Sequence, residues 1–345
     1  MAHTVTLAGS GVQFAVDENE TVLAAGLRQG LALPFGCQSG GCASCRVRCM
    51  AGTVEYAAPF APRPAALSGA EVDAGYILMC LARPLENLTL DLHQPPELEH
   101  LRPRQLPVRA IEMKMLAHDV IGLWLKLPRE DTPFRWLPGQ YIDFLLPEGR
   151  RRSFSIANAW TPDAPLELHL RVTPGGRFAH WVQNEMPARA ILRIEGPLGA
   201  FYLREDSERP VLLMAGGTGF APVKAILEHI FARGIRRSVH LFRGVRASRD
   251  LYLDEYPSRW MEEHPNFRYT PVLSEPDADW SGERGLVHEA LLRAHPQLGG
   301  YEVYISGPPV MVQAGKRAFV AAGLDADHLF YDSFDYAFET WPGLE

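Results

Sequence analysis

Four of the chain's five cysteines fall between Cys37 and Cys49, and Cys37, Cys42 and Cys45 stand in the spacing C-x4-C-x2-C, with Cys80 further on at the end of GYILMC. That is the spacing of a plant-type 2Fe-2S site. Four thiolates must converge on a negatively charged cluster. The loop FGCQSGGCASC supplies Gly36, Gly40 and Gly41, whose backbone can turn tightly and aim N–H groups at sulfur, while small Ala43 and Ser44 let the chain wrap. A zinc site would normally carry two C-x2-C knuckles, and buried structural thiols need no such spacing. The pattern therefore favours a cluster held by Cys37, Cys42, Cys45 and Cys80. Cys49, in CRVRC, reads as a small packed side chain, with a ligand role left open.

Further along, RSFS puts Arg152, Phe154 and Ser155 on one short strand, the first two facing one side and Ser155 the other. A phosphate, a flat ring face and a reactive ring nitrogen could each meet one of them, although such a strand is more often only structural. TPGGRFAHWV strengthens the reading. Gly175, Gly176 and Arg177 precede a predicted helix, where bare N–H groups and the positive helix end would hold a pyrophosphate. GPLGAF at 196–201 is a second glycine-rich turn. MAGGTGFAP then places Gly216, Gly217, Thr218 and Gly219 between a buried strand and a helix, where open α/β sheets bind ligands. This is not the G-x-G-x-x-G fingerprint, and an ordinary tight turn would look similar. SGPPVM, from Ser306, ends another predicted parallel strand. Two such turns at neighbouring strand ends make a cleft.

The elements that must position these residues divide the chain into segments. Residues 1–94 read as a small α+β module: strands VTLAG and GVQFAV, a helix capped by Thr21 and ended by Gly30, the cysteine loop, a strand from Arg46 to Val54, a helix opened by the capping box Ser68 to Glu71, and the strand NLTLDLH. The proline-rich stretch over 95–107 is composed as a linker. From 108 to 205, six period-two segments, VRAIEMKML, VIGLWLKL, QYIDFLL, RSFSIAN, LELHLRV and AILRIEG, predict a six-stranded antiparallel β-barrel. From 206 to 345, PVLLMAGG, SVHLFRGV, FRYTPVL, YEVYISG and HLFYDSF alternate with helical stretches and predict a parallel α/β sheet. A chain of 345 residues, 47% apolar, can bury several cores. Its formal charge of −7 supplies no basic stripe, so nucleic acid is excluded as an expected partner. MAHTVTLAGS lacks a leader's charge and apolar run, and no stretch approaches the length of a membrane span. A cytoplasmic location with no membrane partner is expected.

On these motifs the chain resembles the ferredoxin-reductase superfamily, in particular the reductase components of bacterial multicomponent oxygenases, over nearly its full length. The resemblance implies a β-grasp ferredoxin domain, an FAD-binding barrel and an NAD-binding α/β domain. Arg152, Phe154 and Ser155 match the family's Arg-x-Tyr-Ser flavin motif with Phe for Tyr, GGTGFAP through Pro222 matches its nicotinamide turn, and the DLY of Asp250 to Tyr252 recurs there. SGPPVM has Ser306 where the family commonly has Cys, followed by Gly307 and Pro308, and Ala179 stands where a pyrophosphate-binding Ser or Thr is common. The terminal FYDSF matches the segment whose acid and aromatic lie beside the flavin, here Asp332 and Phe334. Ser155, Ser306, Asp332 and Phe334 are thus the catalytic candidates, and His169 and Arg171 of LELHLRV join the cofactor-binding set. A hydride carries two electrons and a 2Fe-2S cluster accepts one, so a flavin between them divides the pair. The expected route runs from NADH through FAD and the cluster to a protein acceptor, an oxygenase component or ferredoxin. FRGVRASRDLY favours NADH, although Arg243 or Arg246 could pair with a 2′-phosphate. The alternatives are a reductase serving a deoxysugar dehydratase and a redox sensor without turnover.

Overall fold

A computed structural model of the chain describes residues 2–31, 33–36, 38, 40–41, 43–92, 101–129 and 133–334. Residue contacts group them into two compact units, Met1–Arg104 with Gly196–Ala200, and Gln105–Glu195 with Phe201–Glu345.

The first unit is built on β1 (His3–Leu7), β2 (Gln13–Val16), α1 (Val22–Arg28), β3 (Arg46–Ala51), β4 (Val54–Tyr56), α2 (Gly69–Asp73), β5 (Tyr76–Leu78), β6 (Ala82–Pro84) and β7 (Leu88–Asp91). Five strands form a mixed sheet in the order β2-β1-β7-β3-β5, and β4 pairs with β6. β1 runs parallel to β7, the other pairs being antiparallel. Thr21 caps α1 by accepting the Ala24 N–H, and the Ser68–Glu71 capping box opens α2. The strand expected over Arg46 to Val54 is instead two, β3 and β4. Gly52 between them has φ +92, and a Cβ there would lie 2.4 Å from the Asn87 carbonyl oxygen, so only glycine makes that turn.

The second unit holds two sheets. The first comprises β8 (Arg104–Ala117), β9 (Val120–Lys126), β10 (Tyr141–Leu145), β11 (Arg151–Ser155), β12 (Leu166–Arg171) and β13 (Ile191–Leu198), in the order β11-β10-β13-β8-β9-β12, with α3 (Arg177–Asn184) after β12. An antiparallel bridge between Ile156 and Leu168 joins the two edges. Alternate residues Ile121, Leu123 and Leu125, Leu166, Leu168 and Leu170, and Ile142 and Phe144 form one apolar core. β8 begins before the expected position 108. Leu106 and Val108 are buried on alternate positions, so strand periodicity already runs through Pro107 at the end of the expected linker. His93, Pro95 and Pro96 lie outside the described residues.

The other sheet orders β17 (Glu283–Arg284), β16 (Phe267–Leu273), β15 (Val239–Val245), β14 (Val211–Gly216), β18 (Glu302–Gly307) and β19 (Leu329–Ser333), all parallel. Four helices connect them: α4 (Phe220–Arg233), α5 (Glu255–Glu263), α6 (Val287–Ala294) and α7 (Pro309–Ala321). Every residue of β14 and β18 is buried, as a sheet covered on both faces requires. Val211, Leu213 and Ala215 face the core that contains Val223 and Ile226 of α4, while Leu212 and Met214 face that of Leu291 and Phe319. Gly234 ends α4 in the left-handed region and Pro309 opens α7. α5 and α6 are further helices of the expected alternation, and β17 adds a two-residue exposed edge.

Candidate functional site

In the first unit, Cys45 at the start of β3 and Cys80 after β5 bring their buried Sγ atoms to 3.1 Å, too far for a disulfide and facing one another. Two buried, converging thiols in a loop with little room for side chains fit iron. The turn is tight: Gly40 has φ +76, and a Cβ there would stand 2.3 Å from Leu81 Cδ1. Cys37 and Cys42 lie outside the described residues. Cys49 sits further along β3, its Sγ 3.2 Å from the Ala51 carbonyl oxygen, and burial pushes its thiol pKa up. A raised pKa opposes the thiolate that a ligand must be.

In the second unit, Arg152 and Phe154 occupy one face of β11 and Ser153 and Ser155 the other. Phe154 packs its ring at 5.8 Å on Phe144 and at 5.5 Å on Phe178 of α3. Arg152 donates to the Arg151 carbonyl, and burial, then the neighbouring Arg150, hold its pKa below the usual arginine value. Cations crowded in this way favour an anion between them. Gly175, with φ +79, and Gly176 turn the chain into α3, whose N-cap has no side-chain hydrogen bond. A Cβ on Gly176 would lie 2.6 Å from Thr173 Oγ1, and Arg177 is the first residue of the helix. The N-terminal end of α3 and the arginines beside it fit a pyrophosphate.

Ser155 and Asp332 are 177 positions apart in sequence, yet the Ser155 hydroxyl donates to Asp332 Oδ2 at 3.2 Å. Asp332 on β19 stands opposite Ser306 on β18, and the Phe334 N–H donates to the Gly307 carbonyl. All four catalytic candidates therefore meet at one end of the parallel sheet. Ser306 Oγ is fully buried and has no hydrogen-bond partner among the described residues. An orphaned hydroxyl at a strand end marks where a bound group would sit.

Beside it lies a cleft of about 560 Å³ lined by Gly216, Gly217, Pro308 and Met311, with Arg171, Arg246 and Tyr252 among its other walls. The two turns touch through backbone. A Cβ on Gly216 would meet Met311 Sδ at 2.5 Å, and one on Gly219 would meet the Ser306 carbonyl oxygen at 2.1 Å. Thr218, Gly219, Pro222 and Gly307 are buried beneath the cleft and do not line it. Arg171 lines it, bound through Nε and Nη2 to Asp119, a residue that sequence motifs did not mark.

Two expectations are corrected. His169 cannot meet a cofactor with its ring, because its side chain is fully buried: Nε2–H donates to Glu167 Oε1 at 2.8 Å, and Nδ1 accepts from the Tyr252 hydroxyl at 3.1 Å. Burial lowers its pKa and keeps it neutral, consistent with that tautomer. Arg243 cannot reach a 2′-phosphate either. It is wholly buried, its guanidinium 4.0 Å from the Phe220 ring and 4.7 Å from that of Tyr252, which leaves Arg246 as the candidate at the cleft. Strand alternation explains the difference, since Arg243 faces α4.

Fold and site together define an electron-transfer flavoprotein of ferredoxin-reductase type with its own iron–sulfur domain. The 2Fe-2S iron-sulfur cluster binding domain matches residues 5–85, the oxidoreductase FAD-binding domain 107–202 and the oxidoreductase NAD-binding domain 213–317. The chain is 36% identical to the CDP-6-deoxy-L-threo-D-glycero-4-hexulose-3-dehydrase reductase of Yersinia pestis, over 97% of this chain and 99% of that one. It is 35% identical to the xylene/toluene monooxygenase electron transfer component of Pseudomonas putida, over 96% and 93%. The crystal structure of the Amycolatopsis cytochrome P450 reductase GcoB matches with a TM-score of 0.76 and 32% identity, covering 96% of this chain and 98% of that one. The chain belongs to the ferredoxin-reductase superfamily, among the reductase components that carry a 2Fe-2S domain ahead of FAD- and NAD-binding domains. It is an NAD(P)H-dependent oxidoreductase. No helix among the described residues is long and apolar enough to cross a membrane.

Proposed function

We propose that the chain takes hydride from NADH and delivers single electrons to a protein acceptor, an oxygenase component or its ferredoxin, in the cytoplasm. When bound, the flavin accepts two electrons as hydride and gives them up one at a time. The observation that carries this reading is the Ser155–Asp332 hydrogen bond beside the Gly216–Gly217 cleft, which joins a residue of the flavin-binding sheet to one of the nucleotide-binding sheet. In this reading the first unit's sheet is a β-grasp ferredoxin domain whose cluster is held by Cys37, Cys42, Cys45 and Cys80. The six-stranded sheet closes as a barrel that holds FAD, with Gly175, Gly176 and Arg177 on the pyrophosphate, Arg152 beside it, and Phe154 backing the site. Gly216 and Gly217 admit the nicotinamide against Pro308, with Ser306 beneath. Ser155 holds its proton toward Asp332, and Phe334 covers the site. A domain boundary falls between 94 and 107.

Steady-state reduction of ferricyanide and cytochrome c, with NADH compared against NADPH, tests the reading. Turnover with both acceptors and a higher kcat/KM for NADH is expected, together with FAD as the flavin released on denaturation. Recovery of FMN, or an NADPH preference, would reverse those parts. The similarity to a CDP-hexulose dehydrase reductase supports a second acceptor class. Reconstitution with a CDP-hexulose dehydrase and, separately, with an aromatic monooxygenase would distinguish the two.

A further inference from the structure

The nicotinamide turn and the flavin strand belong to different sheets, and hydride transfer tolerates little error in their separation. Lys224 lies one helical turn beyond Gly219–Phe220 on α4, and its ammonium is almost completely buried. It donates to the Ala157 carbonyl at 3.0 Å, to Glu167 Oε2 at 3.0 Å and to Glu228 Oε1 at 2.7 Å. Each acceptor ties down something else. Ala157 is two residues past Ser155, and its N–H donates to the Glu167 carbonyl. Glu228 Oε2 accepts the Ala159 N–H at 3.1 Å. Glu167 Oε1 accepts from His169, which accepts from Tyr252 at the cleft wall.

We propose that Lys224 is a positioning residue that sets the nicotinamide turn against the flavin strand, through Ala157, Glu167 and Glu228. The segment leaving β11, the start of β12 and the first turns of α4 meet at this one buried cation, and the loop after β15 is linked to it through Tyr252, His169 and Glu167. An ion pair so buried adds little net stability over an apolar replacement, so its value lies in geometry. The charges support one another: Lys224 stays protonated, raised by Glu167 and Glu228 against the opposing effect of burial, and Glu167 stays ionised. Apolar side chains could fill the same volume but would not fix the Ala157 carbonyl, because only a donor has directional reach.

The inference rests on the proposed hydride transfer from NADH to bound FAD, which the parent protein must show in a rapid-mixing experiment. Failure there would overturn the functional reading and this inference with it. Lys224→Met alone leaves the buried Glu167 and the half-buried Glu228 without their cation and is expected to unfold more readily. The triple variant Lys224→Met, Glu167→Gln, Glu228→Gln removes that strain and keeps the acceptors for His169 and Ala159. It should melt close to the parent and bind FAD normally, with the NADH KM changed by no more than about twofold. Its hydride-transfer rate should fall about 10- to 100-fold. Lys224→Arg should recover most of that rate. Hydrogen exchange, which needs no turnover, should speed up at the Ala157 and Ala159 amides in the triple variant. A triple variant that transfers hydride at the parent's rate, or leaves those amides as protected as before, would overturn the proposal while leaving the functional reading intact.

Discussion

At the scale of single residues, burial and pairing separate side chains that look equivalent in sequence. Cys49 and Cys80 carry the same thiol, but the sulfur of Cys80 faces Cys45 while that of Cys49 faces backbone carbonyls. Cys80→Ser should abolish the cluster's visible spectrum and its iron content, whereas Cys49→Ser should keep both; the opposite result would refute the ligand assignment. The twelve histidines are no more alike. His240 Nδ1 lies 3.0 Å from His295 Nε2, and its Nε2 lies 2.9 Å from Thr270 Oγ1. Burial, then the charges of His295 and Arg268, push His240 down to about 4 from an ordinary 6.5. Because the folded value is depressed, the neutral pair contributes stability above pH 6.5 that is lost as pH falls toward 4. With its partial exposure discounted, we expect about 1–2 kcal/mol of acid destabilisation from this site. Urea midpoints at about pH 7.5 and about pH 5 should show a smaller difference in His240→Gln than in the parent.

At the scale of elements, the glycine-rich turns act by excluding side chains, each for its own reason. Gly217 has φ +54, while Gly219 has ordinary helical angles and is needed because β18 passes against it. The neighbouring atoms are the Ser306 carbonyl group and the Gly307 nitrogen, all backbone, which cannot step aside. Gly219→Ala should therefore destabilise the second unit by about 2 kcal/mol or more and raise the NADH KM. Thermal melting together with steady-state kinetics checks this, and an unchanged melting temperature would show that β18 can shift. The motif MAGGTGFAP marked this turn in the sequence. It could not separate the glycines that line the cleft from those that pack beneath it, because that depends on which strand lies behind.

At the scale of the whole molecule, the expected relay assigns the exit to the cluster. Deleting residues 1–100 should leave NADH reduction of the flavin nearly unchanged and keep ferricyanide reduction, while cytochrome c reduction should largely disappear. A truncated protein that reduces cytochrome c as fast as the full chain would refute the cluster as obligatory exit. Much of the architecture was legible in advance, because strand and helix periodicities and the cysteine and glycine spacings are local properties carried by consecutive residues. The six strands of the antiparallel sheet, the α1 and α2 caps and the α4 and α7 helices all follow from such patterns. Tertiary structure alone decided what depends on contacts between distant segments: that Ser155 meets Asp332, that His169 and Arg243 turn inward, and that Asp119 holds Arg171 at the cleft. It also decided that Lys224, unremarkable within an amphipathic helix, is the buried cation where two sheets are tied. Whether a charged side chain faces water or a buried carboxylate is set by what packs on its helix, and sequence periodicity carries no record of that partner.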